Sequence, residues 1–135
     1  MPTSANAKKT KSRGRILVVD DESQVRVMLR DILEEAGYEV FEAEDGRQGV
    51  QAFDKLAPNL LITDIIMPVQ EGVETIVQIR RKHPGAKIIG MSGGGRTANF
   101  DFLKLADDFG ADRVLQKPIE LDVILQTVKE TLAGA

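Results

Sequence analysis

Apolar positions along this chain recur with two alternating periods. The runs "RILVVD" (15–20), which is β-branched, "YEVFEA" (38–43), which alternates, "NLLITD" (59–64), "AKIIGM" (86–91) and "DRVLQ" (112–116) are short, and they predict strands. Between them the spacing changes to three and four. Val25, Met28, Leu29, Ile32, Leu33 and Ala36 form a helical stripe within 22–37, stopped by Gly37. Val50, Phe53 and Leu56 mark a helix over 45–56, with Pro58 just beyond. Val73, Ile76, Val77 and Arg80 mark another over 71–82, closed by "HPG" (83–85). Phe102, Leu105, Ala106 and Phe109 predict a helix over 100–109, and Leu121, Ile124, Leu125, Val128 and Leu132 a last one after Pro118. "SGGGRTAN" (92–99) reads as a loop.

Five strands alternating with five helices through short connections predict an α/β fold, with one parallel sheet covered by helices on both faces. The chain has 135 residues and no internal repeat, which fits one folded domain. In such sheets a site forms beyond the carboxyl ends of the strands, where the strand order reverses. The residues at those ends are therefore the ones to inspect. Asp20 and Asp21 follow the first strand, Asp64 ends the third, Ser92 follows the fourth and Lys117 follows the fifth. The second strand ends in Glu42, Glu44 and Asp45, a less focused set. Asp64 is the least expected of them, because "NLLITDIIMPVQEG" (59–72) sets a carboxylate in an otherwise buried run.

Three converging carboxylates repel one another, and a hard cation removes that penalty. A few carboxylates with a backbone carbonyl and waters suit Mg²⁺. Lys117 adds a fixed positive charge. An ionised carboxylate between the two can act as a nucleophile towards phosphorus, with Ser92 offering a hydrogen bond to the transferred group.

Composition removes other classes. The chain is 42% hydrophobic and 29% charged, with no cysteine, so disulfides and thiolate metal sites are excluded. No apolar run approaches membrane-spanning length and no signal-peptide core is present, so the cytoplasm is the expected compartment. Five of the 18 lysines and arginines (Lys8, Lys9, Lys11, Arg13 and Arg15) lie in the first 15 residues, where there is no acid. Residues 1–13 read as a disordered basic tail and 14–135 as the folded domain, from which neither nucleic-acid nor membrane binding is expected. "SGGGRT" lacks the Lys-Ser/Thr that a nucleotide-binding phosphate loop places after its last glycine. His83 reads as a surface residue without a ligand cluster.

The ordered motifs "LVVDDE" (17–22), "DIIMPVQEG" (64–72), "MSG" (91–93) and "KP" (117–118) resemble those of the receiver domains of bacterial two-component response regulators, over about residues 14–133. The resemblance implies a flavodoxin-like sheet of order 2-1-3-4-5 and a stand-alone phosphoacceptor of the chemotaxis-regulator type. Asp64 would take the phosphoryl group from a histidine kinase or a phosphotransfer protein. Mg²⁺ would be held by Asp20, Asp21, Asp64 and the backbone carbonyl of Ile66. Ser92 and Lys117 would bind the phosphoryl oxygens, and the Lys117–Pro118 bond would be cis. Met67, Pro68 and Gly72 would shape the loop after the third strand. Output would pass by protein contact, with residues 93–109 as the candidate surface, or along a phosphorelay. Phe100 and Leu103 fall off the helical stripe and read first as ordinary exposed apolar residues, with a partner-binding patch beside the loop as the alternative.

Two departures stand out. Receivers usually carry Tyr or Phe three residues before the lysine, where this chain has Val114. Signalling here is therefore expected to rely on the glycine-rich loop and the helix after it. The two positions that tune dephosphorylation in the family are Ile66 and Gly94, one apolar and one without a side chain, and they point in opposite directions. Competing readings are a Mg²⁺-dependent phosphatase, which would want an acid where Ile66 stands, and a degenerate receiver, against which the intact set of five polar residues argues.

Overall fold

The computed structural model describes residues 12–65, 72–93 and 110–134. Five strands form one parallel sheet: β1 (Arg15–Val19), β2 (Glu39–Ala43), β3 (Leu60–Asp64), β4 (Ile88–Ser92) and β5 (Arg113–Gln116), in the order β2-β1-β3-β4-β5. Four helices are described: α1 (Ser23–Glu35), α2 (Gly46–Leu56), α3 (Gly72–Lys82) and α4 (Leu121–Leu132). The expected strand order and doubly wound architecture are both present. The expected helix over 100–109, the loop 94–99, Phe100, Leu103, Met67 and Pro68 lie outside the described residues, as does most of the basic tail.

The burial pattern follows from the topology. All five residues of β3 and of β4 are buried, because helices cover both faces of central strands. The edge strands β2 and β5 carry half-exposed positions. Successive residues along a strand point to opposite faces, so β1 divides its side chains between two cores. Ile16 and Val18 pack with Leu29 and Leu33 of α1 and Ile124 and Val128 of α4. Leu17 and Val19 pack on the other face with Val50 and Phe53 of α2 and Ile76 and Ile79 of α3.

Connections are pinned by polar groups. Asp45 caps α2 by accepting from Gln48 N at 2.9 Å. Gly37, at φ +103°, takes the left-handed turn that ends α1. Ala57 makes the same turn after α2 at φ +47°. Arg80, which falls on the apolar stripe of α3, donates Nη1 to the carbonyls of Pro84 and Ala86, and Nη2 to Gly110 O at 2.7 Å. It thereby ties α3 to the starts of β4 and β5. Arg13 donates to Ala36 O at 3.1 Å and lies over the Tyr38 ring. No helix among the described residues is long and apolar enough to cross a membrane.

Candidate functional site

Sheet register delivers the polar strand ends to one place. Val19 pairs with Thr63, so Asp20 stands level with Asp64, and Asp64 itself pairs with Met91, one residue before Ser92. Ser92 pairs with Gln116, and the following Lys117 N donates to Ser92 O at 2.8 Å. The site therefore straddles the point where β1 stands between β2 and β3, the reversal of the strand order.

Asp20, Asp21 and Asp64 each offer a carboxylate oxygen, and these oxygens lie within 4.8 Å of one another. Asp20 is fully buried, Asp64 is nearly so, and Asp21 is exposed. Lys117 Nζ reaches into the cluster, 2.8 Å from Asp20 Oδ2 and 3.3 Å from Asp64 Oδ2. The Lys117–Pro118 peptide is cis, as the resemblance implied. Ser92 is buried at the same edge, and among the described residues its Oγ has no hydrogen-bond partner. Ile66, whose carbonyl was expected to complete the metal site, lies outside the described residues.

The electrostatics are those of a crowded acidic pocket. Burial pushes the Asp20 carboxyl above its ordinary 3.8, against the pull of Lys117 and of the Glu22 backbone N–H, which donates to Asp20 Oδ1 at 2.9 Å. Burial also works against the Lys117 ammonium, but the Asp20, Asp64 and Glu22 carboxylates outweigh it and hold its pKa above the usual lysine value. The donor set fits a hard divalent cation: three carboxylates within reach of one ion, with Asp20 Oδ2 buried and in contact with Lys117 but outside hydrogen-bond geometry.

The raised Asp20 pKa has a sign that can be tested. The folded protein binds the Asp20 proton more tightly than the unfolded chain, so ionising Asp20 costs stability as pH rises from 3.8 through the folded value. In EDTA at pH 7, Asp20→Asn should therefore melt above the parent, and the gain should vanish below pH 3.8. Millimolar Mg²⁺ should raise the melting temperature of the parent more than that of the variant. Thermal unfolding by circular dichroism checks both effects.

Two residues at this site were not singled out by the sequence. Glu22 places its Oε1 3.2 Å from Lys117 Nζ. Arg26, mostly buried on α1, donates Nη1 to the Asp20 carbonyl at 2.7 Å and Nε to Glu42 at 3.0 Å. The only trace of the latter was a basic residue six positions after Asp20. Val114 is half-buried on β5 beside Gly90, and it packs against the core under α2 and α3.

The comparisons agree with this geometry. The sequence matches the response regulator receiver domain over residues 16–129. It is 36% identical over 117 residues to the chemotaxis protein CheY of Thermotoga maritima, covering 86% of this chain and 95% of that one. It is 28% identical over 118 residues to the sporulation initiation phosphotransferase F of Bacillus subtilis, covering 87% and 93%. Among solved structures, a CheY-like response regulator receiver domain protein from Methanospirillum hungatei superposes with a TM-score of 0.80 at 32% identity, covering 89% of this chain and 94% of that one. With the acidic cluster, the lysine and the strand order all in place, this chain belongs to the response regulator receiver domain family and is a signalling protein of the two-component type, not a metabolic enzyme.

Proposed function

We propose that this receiver accepts a phosphoryl group on Asp64, with Mg²⁺, from the phosphohistidine of a kinase or a phosphotransfer protein. The observation that carries the reading is the shared Lys117 ammonium, in contact with both Asp20 and Asp64 beside a three-carboxylate cluster. An Asp64 carboxylate oxygen attacks phosphorus, the bond from phosphorus to the donor nitrogen breaks, and the imidazole leaves with the electron pair. Asp20, Asp21 and Asp64 would hold the cation, with the Ile66 carbonyl as a further ligand. Bound there, Mg²⁺ would offset charge on the phosphoryl oxygens.

The protein's own groups do the rest. Asp64 presents its carboxylate from the end of a strand buried along its whole length. Lys117 pairs with Asp64 before transfer and with the phosphoryl group after it. Ser92 Oγ, without a partner among the described residues, is available to donate to a phosphoryl oxygen. Output would pass to a protein partner through residues 93–109, and the setting would be the cytoplasm, where such donors are charged from ATP.

Incubation with acetyl phosphate followed by intact-mass measurement tests the reading. One phosphoryl adduct that requires Mg²⁺ and is absent from Asp64→Asn is the expected result. An adduct that persists in Asp64→Asn would count against it, and so would none at all.

A further inference from the structure

Glu22 touches the reacting centre, yet the proposed transfer has no use for it. It sits at the N-cap of α1 but makes no side-chain capping bond. Its carboxylate turns instead to Lys117 Nζ, at 3.2 Å. The Glu22 side chain is 62% exposed, against 9% for that of Asp64, so it stands on the solvent side of the shared ammonium. Glu22 and Lys117 also line a groove with the apolar Val25, Met28, Pro118 and Ile119. Low-dielectric walls of this kind strengthen the field of a charge beside them.

We propose that Glu22 is a specificity-determining residue for the phosphoryl donor. Its fixed negative charge favours nitrogen-linked donors over acyl phosphates. The inference rests on Asp64 being the acceptor. In-line transfer puts the leaving group opposite the oxygen of buried Asp64, on the solvent side, which is the side where exposed Glu22 stands. An acyl phosphate arrives as a dianion. Asp64 forms its bond to phosphorus as the acyl C–O–P linkage breaks at phosphorus, and an anionic carboxylate departs past Glu22. Phosphoramidate arrives with a protonated nitrogen and one net negative charge. Asp64 forms the same bond as P–N breaks, and neutral ammonia departs. Glu22 repels the first donor and its leaving group, and it attracts the cationic nitrogen of the second. Both donors must displace Glu22 from Lys117 alike, so that competition cancels in their ratio.

The test is a charge series read as a ratio. Rates of adduct formation from acetyl phosphate and from phosphoramidate are measured at saturating Mg²⁺ for the parent, Glu22→Gln and Glu22→Lys, at low and high ionic strength. The ratio of acetyl phosphate to phosphoramidate rates should rise about 3-fold with each unit of charge removed, as expected for charges several ångströms apart near water. High salt should compress the series. A ratio that is the same in all three proteins overturns the inference, as does one that changes equally at both ionic strengths. Failure of the underlying reading looks different: the parent then forms no adduct with either donor.

Discussion

Lys117→Met should slow phosphorylation of Asp64 by about 100-fold or more, even at saturating Mg²⁺, in line with losing one preorganised charge at a phosphoryl group. It should also destabilise the metal-free protein. Lys117 Nζ lies within 3.3 Å of three carboxylates, Asp20, Glu22 and Asp64, and the first and last of these are buried. Removing the cation leaves both buried acids uncompensated, a situation that costs about 3–5 kcal/mol when a buried pair is broken. The Lys117 pKa is raised in the folded state, so its contribution is present in full below the ordinary 10.5 and is lost only as pH rises past the folded value. Urea titrations at pH 7 should therefore show the whole deficit in EDTA and a much smaller one in Mg²⁺, because the ion replaces part of the missing charge. A variant as stable as the parent in EDTA would mean that the acids are already protonated, and would remove the electrostatic account of the pocket.

Gly72→Ala should be the most damaging small substitution near the site. A Cβ on Gly72 would overlap the Asp64 carbonyl oxygen and would come within 2.7 Å of Ile65 Cα. These are backbone atoms of the strand end that presents the proposed nucleophile, so no side chain can yield to make room. Either α3 moves off the sheet or Asp64 moves out of the cluster. Overpacking of this kind costs about 1–3 kcal/mol, and a displaced Asp64 adds a fall in phosphorylation rate of about 10-fold or more. Chemical denaturation together with the adduct rate separates the two components. The neighbouring backbone bond from Val73 N to Ile65 O, at 3.3 Å, reports on the same contact through amide exchange.

Much of this was legible in the chain because local pattern and global fold agree. The continuous apolar runs of β3 and β4 announce strands covered on both faces, and the helical stripes of α1 and α4 announce what covers one of those faces. Once alternating elements imply a parallel sheet, residues that follow strands must meet at one edge. That is why Asp20, Asp21, Asp64, Ser92 and Lys117 could be grouped without coordinates. The contacts that escaped are those between side chains far apart in sequence. Lys117 meets Glu22 across 95 positions, and nothing near either residue encodes the other. Arg26 looks like an exposed helix residue until its guanidinium is seen on the Asp20 carbonyl. His83 read as a lone surface group, yet its ring lies 4.9 Å from that of Phe53 and its Nε2 is 2.9 Å from Asp54 Oδ1. Ala57 adopts a left-handed turn that favours glycine, so only its neighbours, Pro58 and the end of the stripe at Leu56, marked where α2 stops.

The central claim is that Asp64 carries the phosphoryl group, and chemical trapping of that linkage tests it most directly. Borohydride reduces an acyl phosphate to an alcohol, so an aspartyl phosphate becomes homoserine at its own position. After phosphorylation with phosphoramidate in Mg²⁺, reduction and peptide mapping should find homoserine at position 64 and aspartate at positions 20 and 21. Homoserine at position 20 or 21, or a phosphate that survives reduction on Ser92 or His83, would contradict the account.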